Sequence, residues 1–184
     1  MKLHRPKVQF DKAKLLEAVY LVCSSADPGQ LGNVKLHKIL YFADMMRFLE
    51  TGNPITGVEY VKQKMGPTAR HLAWALNKLH HDGFLSISDE EFHGYIKKRY
   101  DTRKKYPLHH LSEDEKNMLR ESTEYFCKFS ARKVSEISHN EAWRTAKLGD
   151  VIPYHTVYRL LPVELDDDDL EWAKKEAGIH ALAQ

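Results

Sequence analysis

The stretch Lys35–Glu50, KLHKILYFADMMRFLE, constrains this chain more than any other. Leu36, Ile39, Leu40, Ala43, Met46 and Leu49 recur at steps of three and four, the spacing of one buried helical face. Tyr41, Phe42, Met45 and Phe48 fall outside that face, so apolar groups cover far more than one stripe. A helix of this kind is wrapped on several sides by others. The sequence therefore predicts one core built around a central helix, with Asn33 as its cap and Gly52 as its stop.

The flanking segments supply the wrapping. Asp11 is positioned to cap a helix over 12–24, and Asp27-Pro28-Gly29 separates it from the central one. After the turn at 51–54, Ile55–Met65 reads as a short strand, ended by Gly66-Pro67. Proline suits the first turn of a helix, which predicts a helix over 68–81 with Leu72, Ala75, Leu76 and Leu79 inward. Residues 84–88 and 92–100 read as two strands around a turn at Asp89-Glu90-Glu91, a hairpin that the Val58 strand could join. Ser112 and Glu115 fit a capping box ahead of a helix that buries Met118, Leu119, Tyr125 and Phe126. Ser130 caps a short helix over 131–137. Ser138 and Glu141 fit a second box, which places His139 at the first helical position and Trp143 inward. An apolar piece over 157–161 closes the body. The expected class is mainly α with a small antiparallel β-sheet, an α+β domain over 1–163. Residues 164–184 follow as an acidic linker, Asp166–Asp169, and a C-terminal helix over 170–177.

Composition narrows the function classes. With 42% hydrophobic and 29% charged residues among 184, this is an ordinary globular mix. A net charge of +2 is too small to imply a nucleic-acid partner without local clustering. No apolar run approaches the roughly 18 residues that span a bilayer. The first ten residues lack the apolar segment of a secretory signal, and Cys23 and Cys127 read as buried thiols. The expectation is a cytoplasmic protein with no membrane partner.

Eleven histidines invite a metal reading. The pairs His80-His81 and His109-His110 are adjacent, and neighbours on a helix point about 100° apart. His139 and Glu141 lack a further ligand at usable spacing, so no metal, cofactor or catalytic residue is assigned. Ser138-His139 lacks the geometry of a nucleophile and its base, and the capping role of Ser138, His139, Glu141 and Trp143 is preferred. Basic residues cluster on the hairpin's outgoing arm: Lys97, Lys98, Arg99 and Arg103. With a reading helix over 68–81 that presents Arg70, His71, Asn77 and Lys78, the arm resembles the wing of a winged helix. The competing reading is a solvated hairpin whose lysines discourage edge pairing.

Three segments in series resemble the Panacea domain family, the SocA-like antitoxins that include phage-associated GepA-type proteins. The first is Lys35–Asp44, matching K-L-x-K-L-L-Y-F-A at Lys35, Leu36, Lys38, Leu40, Tyr41, Phe42 and Ala43. The second is Gly57–Leu72, matching a strand into Y-G-P at Gly57, Tyr60, Gly66 and Pro67, with Met65 in place of the aromatic. The third is Ser135–Ile152, matching S/T-H-x-x-x-W and a following isoleucine at Ser138, His139, Trp143 and Ile152. The resemblance implies a non-enzymatic bacterial antitoxin that neutralises a cognate toxin by direct protein–protein binding. It also implies a role as an adaptor to an ATP-dependent protease. The expected partner-binding residues are Tyr60, Lys62, Lys64, Pro67 and Arg70. Two other functions compete: a DNA-binding autoregulator using the basic arm, and a hydrolase or nuclease using His139 and Glu141.

Overall fold

The computed structural model describes residues 8–161; the acidic run and the expected terminal helix lie outside them. Helix α1 spans Lys12–Ser25, and Asp11 Oδ1 accepts the Lys14 N–H at 3.0 Å as the expected cap. Helix α2 spans Asn33–Thr51 and ends at Gly52, whose φ of 74° lets its N–H reach the Phe48 carbonyl at 2.8 Å. Asn33 is not the cap. It is the first helical residue, preceded by Gly32, and its side-chain oxygen accepts from the Tyr100 hydroxyl at 3.2 Å.

Helix α2 is wrapped as its composition predicts, by α1 and by the later elements described below. The buried face is rotated from the expected one: Met45 and Phe48 are buried, whereas Met46 is 47% exposed. With neighbours on several sides, no single three–four stripe marks the inside.

Strand β1, Tyr60–Gln63, is shorter than expected, because Ile55–Val58 forms a buried loop. That loop surrounds Asp44, which is fully buried. Its carboxylate accepts from Thr56 N–H and Oγ1 at 2.7 and 2.6 Å and from the Tyr60 hydroxyl at 2.7 Å. Burial raises the Asp44 pKa against these donors.

Pro67 does not open a helix. It lies in strand β2, Gly66–Ala69, opposite Lys62 and joined to β1 by the two-residue turn Lys64-Met65. As an edge strand β2 tolerates a residue without an N–H. Helix α3 starts later, Leu72–His81, with the expected four apolar residues inward.

Strands β3, Leu85–Phe92, and β4, Tyr95–Thr102, form a hairpin with a tight turn at His93-Gly94, both at positive φ. The acidic residues expected to make that turn lie within β3, where Asp89 and Glu90 face Lys98 and Lys97. The hairpin is a sheet of its own and does not join β1 or Val58.

Helix α4, Glu113–Cys127, carries the full capping box: Ser112 Oγ accepts the Glu115 N–H, and Glu115 Oε2 accepts the Ser112 N–H at 2.9 Å. Leu119 and Phe126 are buried as expected, but Tyr125 is exposed. The loop before α4 is pinned by Glu17, a buried carboxylate that accepts the N–H groups of His109, His110 and Leu111. It also meets His110 Nδ1 at 2.6 Å, so that histidine is committed to the scaffold.

Helices α5, Ala131–Ser138, and α6, Glu141–Thr145, follow. Strand β5, Val151–Ile152, pairs antiparallel with β1 and completes the order β2-β1-β5. A 3₁₀ segment, Tyr154–Leu160, packs on α2, and the Tyr154 hydroxyl reaches the Val58 carbonyl at 2.7 Å.

Candidate functional site

The three sequence segments meet at the β1–β2 hairpin. Lys38, on α2 and 1% exposed, donates from Nζ to the Pro67 carbonyl at 2.9 Å. Burial pulls its pKa down to about 8. One residue earlier, His37 Nδ1 accepts the Ala69 N–H at 3.0 Å, and burial and then Lys38 pull its pKa down to about 4. Gly66 sits between the segments at φ 99°, where a Cβ would lie 2.3 Å from Ser138 Oγ and 2.8 Å from Lys38 Cε. Backbone freedom and bare space both require glycine there. From α5, Ser135 Oγ donates to the Met65 carbonyl at 2.8 Å.

The second capping box is not formed. Ser138 ends α5, is fully buried, and donates from Oγ to the Ser135 carbonyl at 2.7 Å. Asn140 caps α6, accepting the Trp143 N–H at 3.2 Å. Asparagine caps as well as serine does, and a sequence carrying Ser138 and Asn140 offers both choices. His139 therefore lies between the two helices. Its ring stacks on Trp143, with centroids 4.0 Å apart and 19° between planes. Burial, then Lys38, keep the imidazole pKa below its ordinary value. Trp143 is half-buried, its Nε1 donates to the Gln63 carbonyl at 3.1 Å, and Lys62 Nζ lies 4.1 Å from its ring centroid. Lys62 also donates to the Ala146 carbonyl at 2.9 Å. The box and the β1–β2 hairpin thus form one interlocked unit.

This arrangement offers little to acid–base or nucleophilic chemistry. The Ser138 hydroxyl is buried and engaged, Glu141 is exposed, and no hydrogen bond joins it to His139 among the described residues. No cluster of three metal-ligating side chains occurs among the described residues.

The expected partner-binding residues divide by exposure. Tyr60 is fully buried with its hydroxyl on Asp44, and Pro67 is buried, so neither presents a surface. Lys62 is held against Trp143. Lys64 is exposed at the turn, and Arg70 is exposed and paired with Glu59 at 2.6 Å. Between them stands Met65, 55% exposed, which sequence reading treated only as a departure from a motif. Sequence reading placed it at the end of a strand, and the pairing of β1 with β2 puts it in a turn instead.

The basic arm is largely neutralised in place. Lys97 meets Glu90 at 3.2 Å, Lys98 meets Asp89 at 2.6 Å, and Arg99 meets Asp101 at 2.9 Å. Arg103 donates to Ser86 Oγ at 3.1 Å. On the expected reading helix, His71 precedes α3 and stacks on Phe10, and Lys78 pairs with Asp82 at 2.6 Å.

Comparison with known proteins adds one finding. The model of the antitoxin SocA-like, Panacea domain matches residues 36–144, more than half of the chain. No curated protein and no solved structure matches it. The matched span holds Lys38, the β1–β2 hairpin and the His139–Trp143 stack. No helix among the described residues is long and apolar enough to cross a membrane.

Proposed function

Because this chain belongs to the SocA-like antitoxin family with a Panacea domain, we propose that it is the antitoxin of a toxin–antitoxin pair and neutralises its toxin by direct binding. The observation that carries this reading is the Lys64-Met65 turn. It is exposed, yet the strands on either side are anchored by Lys38, Ser135 and Trp143. An apolar side chain on a fixed support loses little freedom on docking, the property of a binding anchor. The exposed Arg70–Glu59 ion pair lies beside it and supplies a polar rim. An interface centred there would bury about 800 Å² on each partner. The protein acts in the cytoplasm, and delivery of the bound toxin to an ATP-dependent protease is a further step open to the same surface.

The non-catalytic reading is supported by the committed hydroxyl of Ser138 and the stacked ring of His139. A DNA-binding role has less support, since the cations of β4 already have carboxylate partners.

Co-expression with the product of the adjacent reading frame tests the proposal. Growth should be restored by the native chain and lost with Met65→Asp combined with Lys64→Glu, while thermal stability stays unchanged. Toxicity that persists beside the native chain would remove the antitoxin reading. Full protection by the double variant would remove this interface alone. Toxin half-life with and without the antitoxin in a protease-deficient strain tests the adaptor step.

A further inference from the structure

A second surface lies away from the Lys64-Met65 turn. A groove of about 530 Å³ runs between the Gln30–Lys35 segment, the tip of the β3–β4 hairpin and the end of α4. Its apolar walls include Leu31, Phe92, Ile96 and Phe129. Ile96 is 74% exposed and Tyr95 beside it 55%, on a hairpin whose lysines are paired with carboxylates. Exposed apolar groups gathered along one groove mark a contact surface.

The groove's charges single out one lysine. Of the four that line it, Lys97, Lys98 and Lys128 are paired with Glu90, Asp89 and Glu124, which leaves Lys35. Lys35 is 6% exposed, and its Nζ meets only carbonyl oxygens, of Gln30 at 2.7 Å and Cys127 at 3.4 Å. No carboxylate lies within ion-pair distance of it among the described residues. Lys97 donates to the Gly29 carbonyl at the same floor. The start of α2 adds to the positive field, because no side chain caps it. A desolvated ammonium with no counter-ion is costly, and an incoming carboxylate would offset that cost. A groove of similar size beside β5, about 500 Å³, is lined by Phe48, Tyr154 and Tyr158 with Glu59 and carries no lysine. Apolar walls alone therefore do not distinguish the two; charge does.

We propose that the groove at the start of α2 docks an extended peptide segment of a protein partner, one that alternates apolar and carboxylate side chains. The apolar side chains pack on Ile96 and Phe92, and a carboxylate reaches Lys35. This surface is separate from the toxin-binding turn, and the proposal does not depend on the antitoxin reading.

Fluorescence anisotropy on the full chain tests it, with a labelled decapeptide of alternating leucine and aspartate. Saturable binding is expected. It should weaken about tenfold in Ile96→Glu, an exposed position where folding is unaffected, and about tenfold when aspartate is replaced by asparagine. Lys35→Met should erase the preference for aspartate over asparagine. Absence of binding overturns the proposal, as does equal binding of a leucine–lysine peptide or an unchanged Ile96→Glu variant. Binding seen only after removal of residues 163–184 would assign the groove to the chain's own acidic tail and overturn it as well. So would a dimer in sedimentation that Ile96→Glu dissolves, which would assign the groove to a second copy.

Discussion

The β1–β2 and β3–β4 hairpins are both short, antiparallel and rich in lysine, yet they hold charge in opposite ways. At the first, Lys38 of α2 is buried against the Pro67 carbonyl, and the hairpin's own Lys62 lies over Trp143. Each cation ties together segments distant in sequence. In the second, Lys97, Lys98 and Arg99 meet carboxylates of their own hairpin, in contact with solvent. Exposed ion pairs are worth roughly 0–1 kcal/mol each, because water screens them and two side chains must be ordered. The first hairpin is thus locked into the body by contacts to α2, α5 and α6. The second is anchored at its base by the buried Leu85 and Tyr100, while the charges toward its tip could be rearranged at little cost.

The sharpest test of that contrast uses one glycine from each hairpin. Gly66→Ala forces a side chain into the left-handed region and against Ser138 and Lys38. The combined cost should be about 3 kcal/mol or more. Gly94→Ala has the same kind of backbone angle, φ 82°, with open space around it, and should cost about 1 kcal/mol. Equal losses in chemical denaturation would break the comparison.

Acid provides the next largest effect. His37 is neutral in the fold, where its lone pair accepts the Ala69 N–H, and its pKa lies near 4 against 6.5 in the open chain. The unfolded chain therefore binds the extra proton first. The stability from this group is complete above pH 6.5 and is lost as pH falls toward 4, by as much as about 3 kcal/mol. Stability curves of the native chain and His37→Gln should diverge in that window; parallel curves would refute the assignment. The smallest effect belongs to the arm. Lys98→Ala should shift stability by no more than about 0.5 kcal/mol, and a larger loss would mean the arm is as integral as the first hairpin.

The same contrast decides what could be read from sequence. Local grammar was legible: the Asp11 cap, the Ser112–Glu115 box, the Gly52 stop and the inward face of α3 all follow from short-range spacing. The family resemblance was legible too, since its three segments are contiguous stretches. What resisted reading was any choice made by a distant partner. Gly66-Pro67 suits a helix start or an edge strand, and the pairing with β1 selects the strand. Ser138 and Asn140 both suit a cap, and contact of α5 with β2 commits Ser138 elsewhere. Tyr60 looked like a recognition residue because nothing in its neighbourhood of sequence announces Asp44, sixteen positions earlier, as its acceptor. Exposure was the hardest property: Met65 and Ile96 face solvent although their residue type argues for the interior.

The hydroxyl of Tyr154 comes within 3.3 Å of the Asp44 carboxylate, across 110 positions. A ribosome releases Asp44 long before it releases Tyr154. Until then the carboxylate lacks one of its donors, and β1 lacks its neighbour β5 along one edge. A nascent chain can assemble helices as they emerge, but it cannot seal its interior until the Tyr154 segment has followed them. A message cut short before that tyrosine would yield a polypeptide bearing every family motif and no completed fold.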